Sequence, residues 1–258
     1  LIHSTVKLGD PTFLHYTHEH IQVELTRRAM QKHPGPNVLV IGGGGYTFPR
    51  YLETQLPRVN VEVVEIDPGV TRVAHEKLGL PRDTKISIRH MDGRQFIAER
   101  APKGRYHLVV QDAVNDLSVP YHLLTKEYND AVKRVLTDDG VYLLTLIDAF
   151  EDGKLWRAAL HTMRESFPHV YLLFPDEDWE AIGRGVFVIY GSDVPLDVDR
   201  LRGMLRGQGA ERVYTHMLPP DRLEEMLAAV PRVVLTDQYA PVDNLMSGVF
   251  RANTAPEE

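Results

Sequence analysis

The chain of 258 residues contains no cysteine. Disulfides, thiolate metal sites and cysteine nucleophiles are therefore excluded. No apolar run approaches the ~18 to 20 residues of a membrane-crossing helix, so the chain is not expected to span a bilayer. A secretory signal pattern is missing as well. So is any excess of positive charge: 29 Lys and Arg stand against 36 Asp and Glu, a net charge of −7. Nucleic acid is not an expected partner, because its recognition needs clustered basic side chains on phosphates. The histidines are scattered and do not pair with acids at ligand spacing, so no metal site is expected. The chain begins at Leu1 with no initiator methionine, as expected of a piece trimmed from a longer parent. What remains, 43% hydrophobic and 25% charged, is the composition of an ordinary globular domain.

The most informative stretch is VLVIGGGGYTFPR, residues 38–50. A short run with β-branched residues reads as a strand buried on both faces. Gly42, Gly43, Gly44 and Gly45 follow at once, and a helix is predicted from Thr47. Glycine allows positive φ and a close approach of backbone to ligand, while helix-start N–H groups face that ligand. An ordinary tight turn is the plainer alternative. Further strands are predicted at 61–65, 86–91, 106–110, 141–147, 170–174 and 185–190. Helices are predicted at 17–32, 68–78, 95–100, 126–136, 154–166, 198–206 and 221–229. Alternation of this kind implies an α/β fold with a mostly parallel seven-stranded sheet and helices on both faces. Gly9-Asp10-Pro11 marks a turn in a β-prone start. The expected organisation is a β-hairpin extension over 1–16 and one ligand-binding domain over 17–258.

Ligands of such sheets bind beyond the carboxyl ends of the strands. Three predicted strands end there in an acid: Glu65, Asp92 and Asp112. Glu65 suits the two hydroxyls of a ribose, Asp92 an adenine amino group, and Asp112 the reactive end of the ligand. Any of them could instead cap the following helix, the favoured reading for Asp67 before Pro68, which stays a cofactor-binding candidate by its place. Phe48 falls near the position of the third glycine of GxGxxG, which weakens a nicotinamide reading. An acid after the third strand favours an S-adenosyl-type ligand.

The segments VLVIGGGG, VEVVEID, MDGRQFI and LVVQD through LTKEY resemble, in order and spacing, the motifs of the spermidine synthase family of polyamine aminopropyltransferases. The resemblance is closest to the branch often fused to membrane segments. It implies a Rossmann-like class I methyltransferase fold, a homodimer and a cytoplasmic location, either free or as the cytoplasmic domain of a membrane protein. It also implies decarboxylated S-adenosylmethionine as donor substrate, no permanently bound cofactor and a polyamine acceptor. By resemblance, Glu65 holds the donor ribose, Asp92 and Gly93 its adenine, and Asp112 takes the proton of the attacking amine. His3 stands where the family has a donor-binding Gln. Gln22 stands at a substrate-facing Tyr, beside Glu19 and Glu24. The pattern departs at Gly45, where the family has an Asp that holds the donor's amine. It departs again at Asn115, where a second Asp anchors the acceptor, with Asp116 one residue later.

Tyr121, His122 and Asp148 are further candidates for the acceptor pocket, the first two with a lid or helix-entry role as the alternative. The run Asp176, Glu177, Asp178 and Glu180 reads as a solvated loop or an attractor of polyamines. Two other functions remain open on the sequence: an S-adenosylmethionine-dependent methyltransferase, favoured by the missing acid at Gly45, and a non-catalytic adenosyl or polyamine sensor.

Overall fold

The structure, a computed structural model, describes residues 4–113, 120–176 and 183–246. Helix α1 (Thr17–Lys32) leads into β1 (Asn37–Ile41), and the glycine turn carries the chain into α2 (Thr47–Gln55). Next come β2 (Asn60–Glu65) and α3 (Pro68–Lys77). Pro68 sits at the start of α3, where its missing N–H costs nothing. Strand β3 (Ser87–His90) is followed by the single turn α4 (Gly93–Gln95), which widens over Phe96–Arg100 before β4 (Tyr106–Gln111). The rest of the chain supplies α5 (Lys126–Val135), β5 (Leu136–Ala149), α6 (Leu155–Arg164), β6 (His169–Phe174), β7 (Arg184–Ser192), α7 (Val198–Gly207), β8 (His216–Met217) and α8 (Pro220–Ala228).

The strands form one sheet in the order β3-β2-β1-β4-β5-β7-β6-β8. Strands β1 to β5 run parallel, while β7 pairs antiparallel with both β5 and β6, and β8 antiparallel with β6. The chain winds outward from β1 to β3, then crosses back to place β4 on the other side of β1. That reversal opens a crevice at the carboxyl ends of β1 and β4, the usual ligand site of such sheets.

Alternation along the strands divides the core in two. Val38 and Val40 of β1 point with Leu108 and Val110 of β4 into a layer closed by α1, α2, α3 and α7. Leu39 and Ile41 point the other way, with Val109, Tyr142 and Leu144, toward α5, α6 and α8. Both faces of the central strands are thus apolar, which is why β1 reads as an unbroken hydrophobic run.

Two expectations need correcting. The sheet has eight strands: the two-residue β8 is too short to leave a period-two pattern in the sequence. The expected N-terminal hairpin is absent from the described residues 4–16, which hold no strand. Asp10 instead accepts the Thr12 N–H at 3.1 Å and its hydroxyl at 2.7 Å. Such local side-chain bonds compete with strand pairing, and Pro11 has no N–H to offer a ladder.

Asp148 closes the inner end of β5. It is fully buried and accepts the N–H groups of Ala149 at 2.8 Å and of Trp156, in the first turn of α6, at 3.0 Å. Asp148→Ala leaves these donors unpaired and is expected to lower the unfolding free energy by about 1–3 kcal/mol. Urea denaturation measures this, and an unchanged midpoint would contradict the capping role.

Candidate functional site

A cavity of about 590 Å³ lies at the crevice, a volume suited to a nucleoside-sized ligand. Its floor is the glycine turn. Gly42 has φ +102°, and a Cβ there would stand 2.5 Å from the Asp112 carbonyl oxygen, so the turns after β1 and β4 pass at glycine-only distance. Gly43 is equally constrained, with Tyr46 and Glu65 within 3.0 Å of a built Cβ. Tyr46 takes the left-handed conformation that starts α2, φ 56°, and its buried hydroxyl pairs with Thr71 Oγ1 at 2.7 Å. Gly93 packs α4 onto β1: a Cβ would lie 2.5 Å from Ile41 Cγ2.

Glu65, nearly buried at the end of β2, accepts the N–H of Gly43 at 2.7 Å on one oxygen and that of Asp67 at 2.9 Å on the other. It therefore ties the glycine turn to the second strand. Asp67 does cap α3, accepting the Gly69 N–H at 2.7 Å, and also lines the cavity. Asp92 combines both roles too. It caps α4 through the Gln95 N–H at 2.9 Å, faces the cavity, and pairs with His122 Nε2 at 3.1 Å.

Asp112 follows β4 and meets α1 across the crevice, with His18 Nε2 3.3 Å from its carboxylate. Burial pushes the Asp112 carboxyl up, but the charge and hydrogen bond of His18, with the amide of Gln22, outweigh this and leave it below the usual range. Burial pushes His18 down, yet its hydrogen bond to Asp112 and that carboxylate's charge raise it overall. The pair is an ion pair between neighbouring elements, and the sequence pattern did not single out His18. The one available signal was spacing: His18 and Gln22 are four apart on α1 and share a face.

Of the other candidates, Gly44, Gly45, Gln22 and Glu19 line the cavity. Glu24 faces away, accepting both backbone N–H groups of Tyr214 and Thr215. Asp148 lies below the crevice in its capping position and does not line the cavity, and Tyr121 is 54% exposed beside it. Asp237 forms a two-pronged pair with Arg94 at 2.7 and 2.5 Å, also outside. His3, Asn115 and Asp116 lie outside the described residues, as do Glu177, Asp178 and Glu180. Among the described residues there is no cluster of metal-ligating side chains and no helix long and apolar enough to cross a membrane.

The sequence profile of the "Spermine/spermidine synthase domain" matches residues 19–175. A polyamine aminopropyltransferase of Vibrio vulnificus is 29% identical over 151 residues, 58% of this chain and 50% of that protein. An eEF1A lysine and N-terminal methyltransferase of Xenopus laevis is 30% identical over 178 residues, 64% of this chain and 25% of that protein. The chain thus spans half or less of these curated relatives. A probable spermidine synthase from Corynebacterium glutamicum superposes with a TM-score of 0.74 at 20% identity, covering 91% of this chain and 85% of that one. Human methyltransferase-like protein 13, solved in complex with SAH, gives 0.62 at 22% identity, covering 89% and 100%. At these identities the structural likeness shows the Rossmann-like methyltransferase fold.

The His18–Asp112 pair has a pH signature. A raised His18 contributes stability that is complete below its ordinary value of about 6.5 and fades as pH rises through the raised one. A lowered Asp112 contributes above about 3.9 and fades as pH falls through the lowered one. Urea unfolding of His18→Gln against the parent chain should therefore differ most between about pH 4 and 6.5. A difference independent of pH would show that the two groups are not an ion pair.

Proposed function

The chain belongs to the spermine/spermidine synthase family, and on that premise we propose that it moves an aminopropyl group from decarboxylated S-adenosylmethionine to a di- or polyamine, releasing methylthioadenosine. The observation that carries this reading is the charge of the cleft. Five carboxylates line it (Glu19, Glu65, Asp67, Asp92 and Asp112), with no lysine or arginine among the described lining residues. Its two histidines are each paired with one of those acids. A cavity of this sign draws in cations and repels a carboxylate. Both substrates of the proposed reaction are cationic, whereas S-adenosylmethionine itself carries a carboxylate.

The glycine turn supports the same choice. Backbone N–H groups at such a turn can bind an anion, but here most are occupied. Gly42 donates to Val64 O, Gly43 to Glu65, Gly45 to Ser4 Oγ and Tyr46 to Gly43 O. Between Gly42 and Tyr46 only the Gly44 N–H makes no such bond among the described residues, so the turn itself offers a carboxylate less than an open cradle would.

In the proposed reaction the donor adenosine lies along the glycine turn, its ribose on Glu65 and its base near Asp92 and Gly93. An alkylammonium acceptor has a pKa near ~10.4 and arrives protonated, without a free lone pair. Asp112, held ionised by His18, attracts that cation and takes its proton as the nitrogen attacks. The new bond joins nitrogen to the carbon beside sulfonium. The carbon–sulfur bond breaks with its electron pair going to sulfur, which leaves as a neutral thioether. Sulfonium is its own leaving group, so positioning does most of the remaining work. Asn115, Asp116 and the loop at Tyr121 are the proposed surroundings of the acceptor. We propose in addition that the protein is a homodimer, tested by light scattering, and acts in the cytoplasm.

A second reading, methyl transfer, draws on the similarity to the Xenopus enzyme. Products separate the two. Purified chain incubated with decarboxylated S-adenosylmethionine and a panel of amines is expected to form methylthioadenosine. Failure with every amine, alongside S-adenosylhomocysteine formed from S-adenosylmethionine, would establish the second reading instead. Asp112→Asn is expected to lower turnover by about 10²- to 10⁴-fold with donor affinity nearly unchanged. A matching loss of affinity would show that Asp112 binds the donor and is not the base.

A further inference from the structure

The glycine turn carries no acid, and its packing shows why none fits. A Cβ built on Gly45 lies 2.8 Å from Ser4 Cβ and 3.3 Å from Val6 Cγ1. The N-terminal segment thus fills the space that a side chain at this position would use. A cation at this end of the cleft has to be met from another element.

Helix α1 is placed to do so. Glu19 and Gln22, three residues apart, share a helix face. Both line the cavity and both are buried, at 4% and 0% exposed. Glu19 meets the start of α2, where Thr47 donates its hydroxyl to Glu19 Oε1. The Tyr16 N–H reaches Oε2 at 3.3 Å. Those bonds leave about half of the carboxylate's acceptor positions free. Among the described residues, no cation is ion-paired with Glu19, unlike Asp92 and Asp112. Burial pushes its carboxyl up, whereas its place in the first turn of α1 favours the ionised form.

Gln22 supplies an independent sign of a ligand. Its amide NH₂ reaches Thr145 Oγ1 at 3.3 Å and helps hold down the Asp112 carboxyl. A carboxylate can only accept, so this orients the amide. Gln22 Oε1 is left buried with no partner, an arrangement that costs free energy unless something donates to it.

Resting on the aminopropyl-transfer reading, we propose that Glu19 and Gln22 together hold the primary ammonium at the end of the donor's propyl chain, so that α1, and not the glycine turn, supplies the negative charge. A primary ammonium offers three donors and no acceptor, which matches a free carboxylate position beside a vacant amide oxygen. Bound there, it fixes one end of the three-carbon chain while the adenosine fixes the other. The carbon beside sulfonium is then presented toward Asp112.

Calorimetric titration of the chain and two variants tests this with ligands that differ in the ammonium. Glu19→Gln is expected to weaken decarboxylated S-adenosylmethionine by about tenfold or more, and Gln22→Leu by about threefold to tenfold. Methylthioadenosine, which lacks the propylamine, should bind all three proteins within about twofold, and it reports at the same time that each variant is folded. Equal losses for both ligands would overturn the proposal. So would a Glu19→Gln variant with unchanged donor binding and a raised KM for the amine, which would place Glu19 at the acceptor. Titration with S-adenosylmethionine checks the premise separately, since it carries the ammonium and a carboxylate. Tighter binding of that form by the parent chain would defeat the aminopropyl reading, while a selective Glu19→Gln loss measured with it would still uphold the ammonium site.

Discussion

The pairing of β1 with β4 is the constraint on which the rest of the site depends. Ile41 sits opposite Gln111 in that ladder, and the Asp112 N–H continues it by donating to Ile41 O at 2.9 Å. The next step of each chain is then forced. Gly42 must turn away with positive φ because the Asp112 carbonyl occupies the place of a side chain. The same contact delivers the Asp112 carboxylate to the edge of the glycine turn. The ligand floor and the proposed base are thus placed by one run of backbone hydrogen bonds between two strands buried on both faces.

Around that contact the acids divide by what holds them. Glu65, Asp67 and Asp92 each accept backbone N–H groups near the turns, so they shape the floor while facing the cavity. Asp112 and Glu19 stand at the α1 end, the first balanced by His18 and the second by no ion pair among the described residues. Burial raises the Glu19 carboxyl even though the charge of His18 acts to lower it, and a cationic ligand nearby favours its ionised form.

The architecture was legible because its signals are local and repeated. The apolar run at Asn37–Ile41, four glycines in succession and acids closing three strands can be read from neighbours in sequence, and each appears in the structure at the expected edge. The N-terminal hairpin was misread for an equally local reason. A β-prone composition around Gly9-Asp10-Pro11 describes a turn, but the Asp10 side chain satisfies the backbone that a strand ladder would have needed. Asp148 was legible as a strand-end acid, and its neighbours turned it from the cavity to α6.

By itself the sequence determined the α/β class, the glycine turn and which strands end in carboxylates, since periodicity, glycine content and residue type are properties of short stretches. Only the tertiary structure decided which charges meet. His18 and Asp112 are 94 residues apart in number, yet the packing of α1 across the sheet makes them a pair. Gly45 bears no acid in the sequence, but it takes the fold to show Ser4 and Val6 filling its space and Glu19 bonded to Thr47 two residues further on. The physical reason is that charge interactions and packing act through distance in space. The sequence records distance only along the chain.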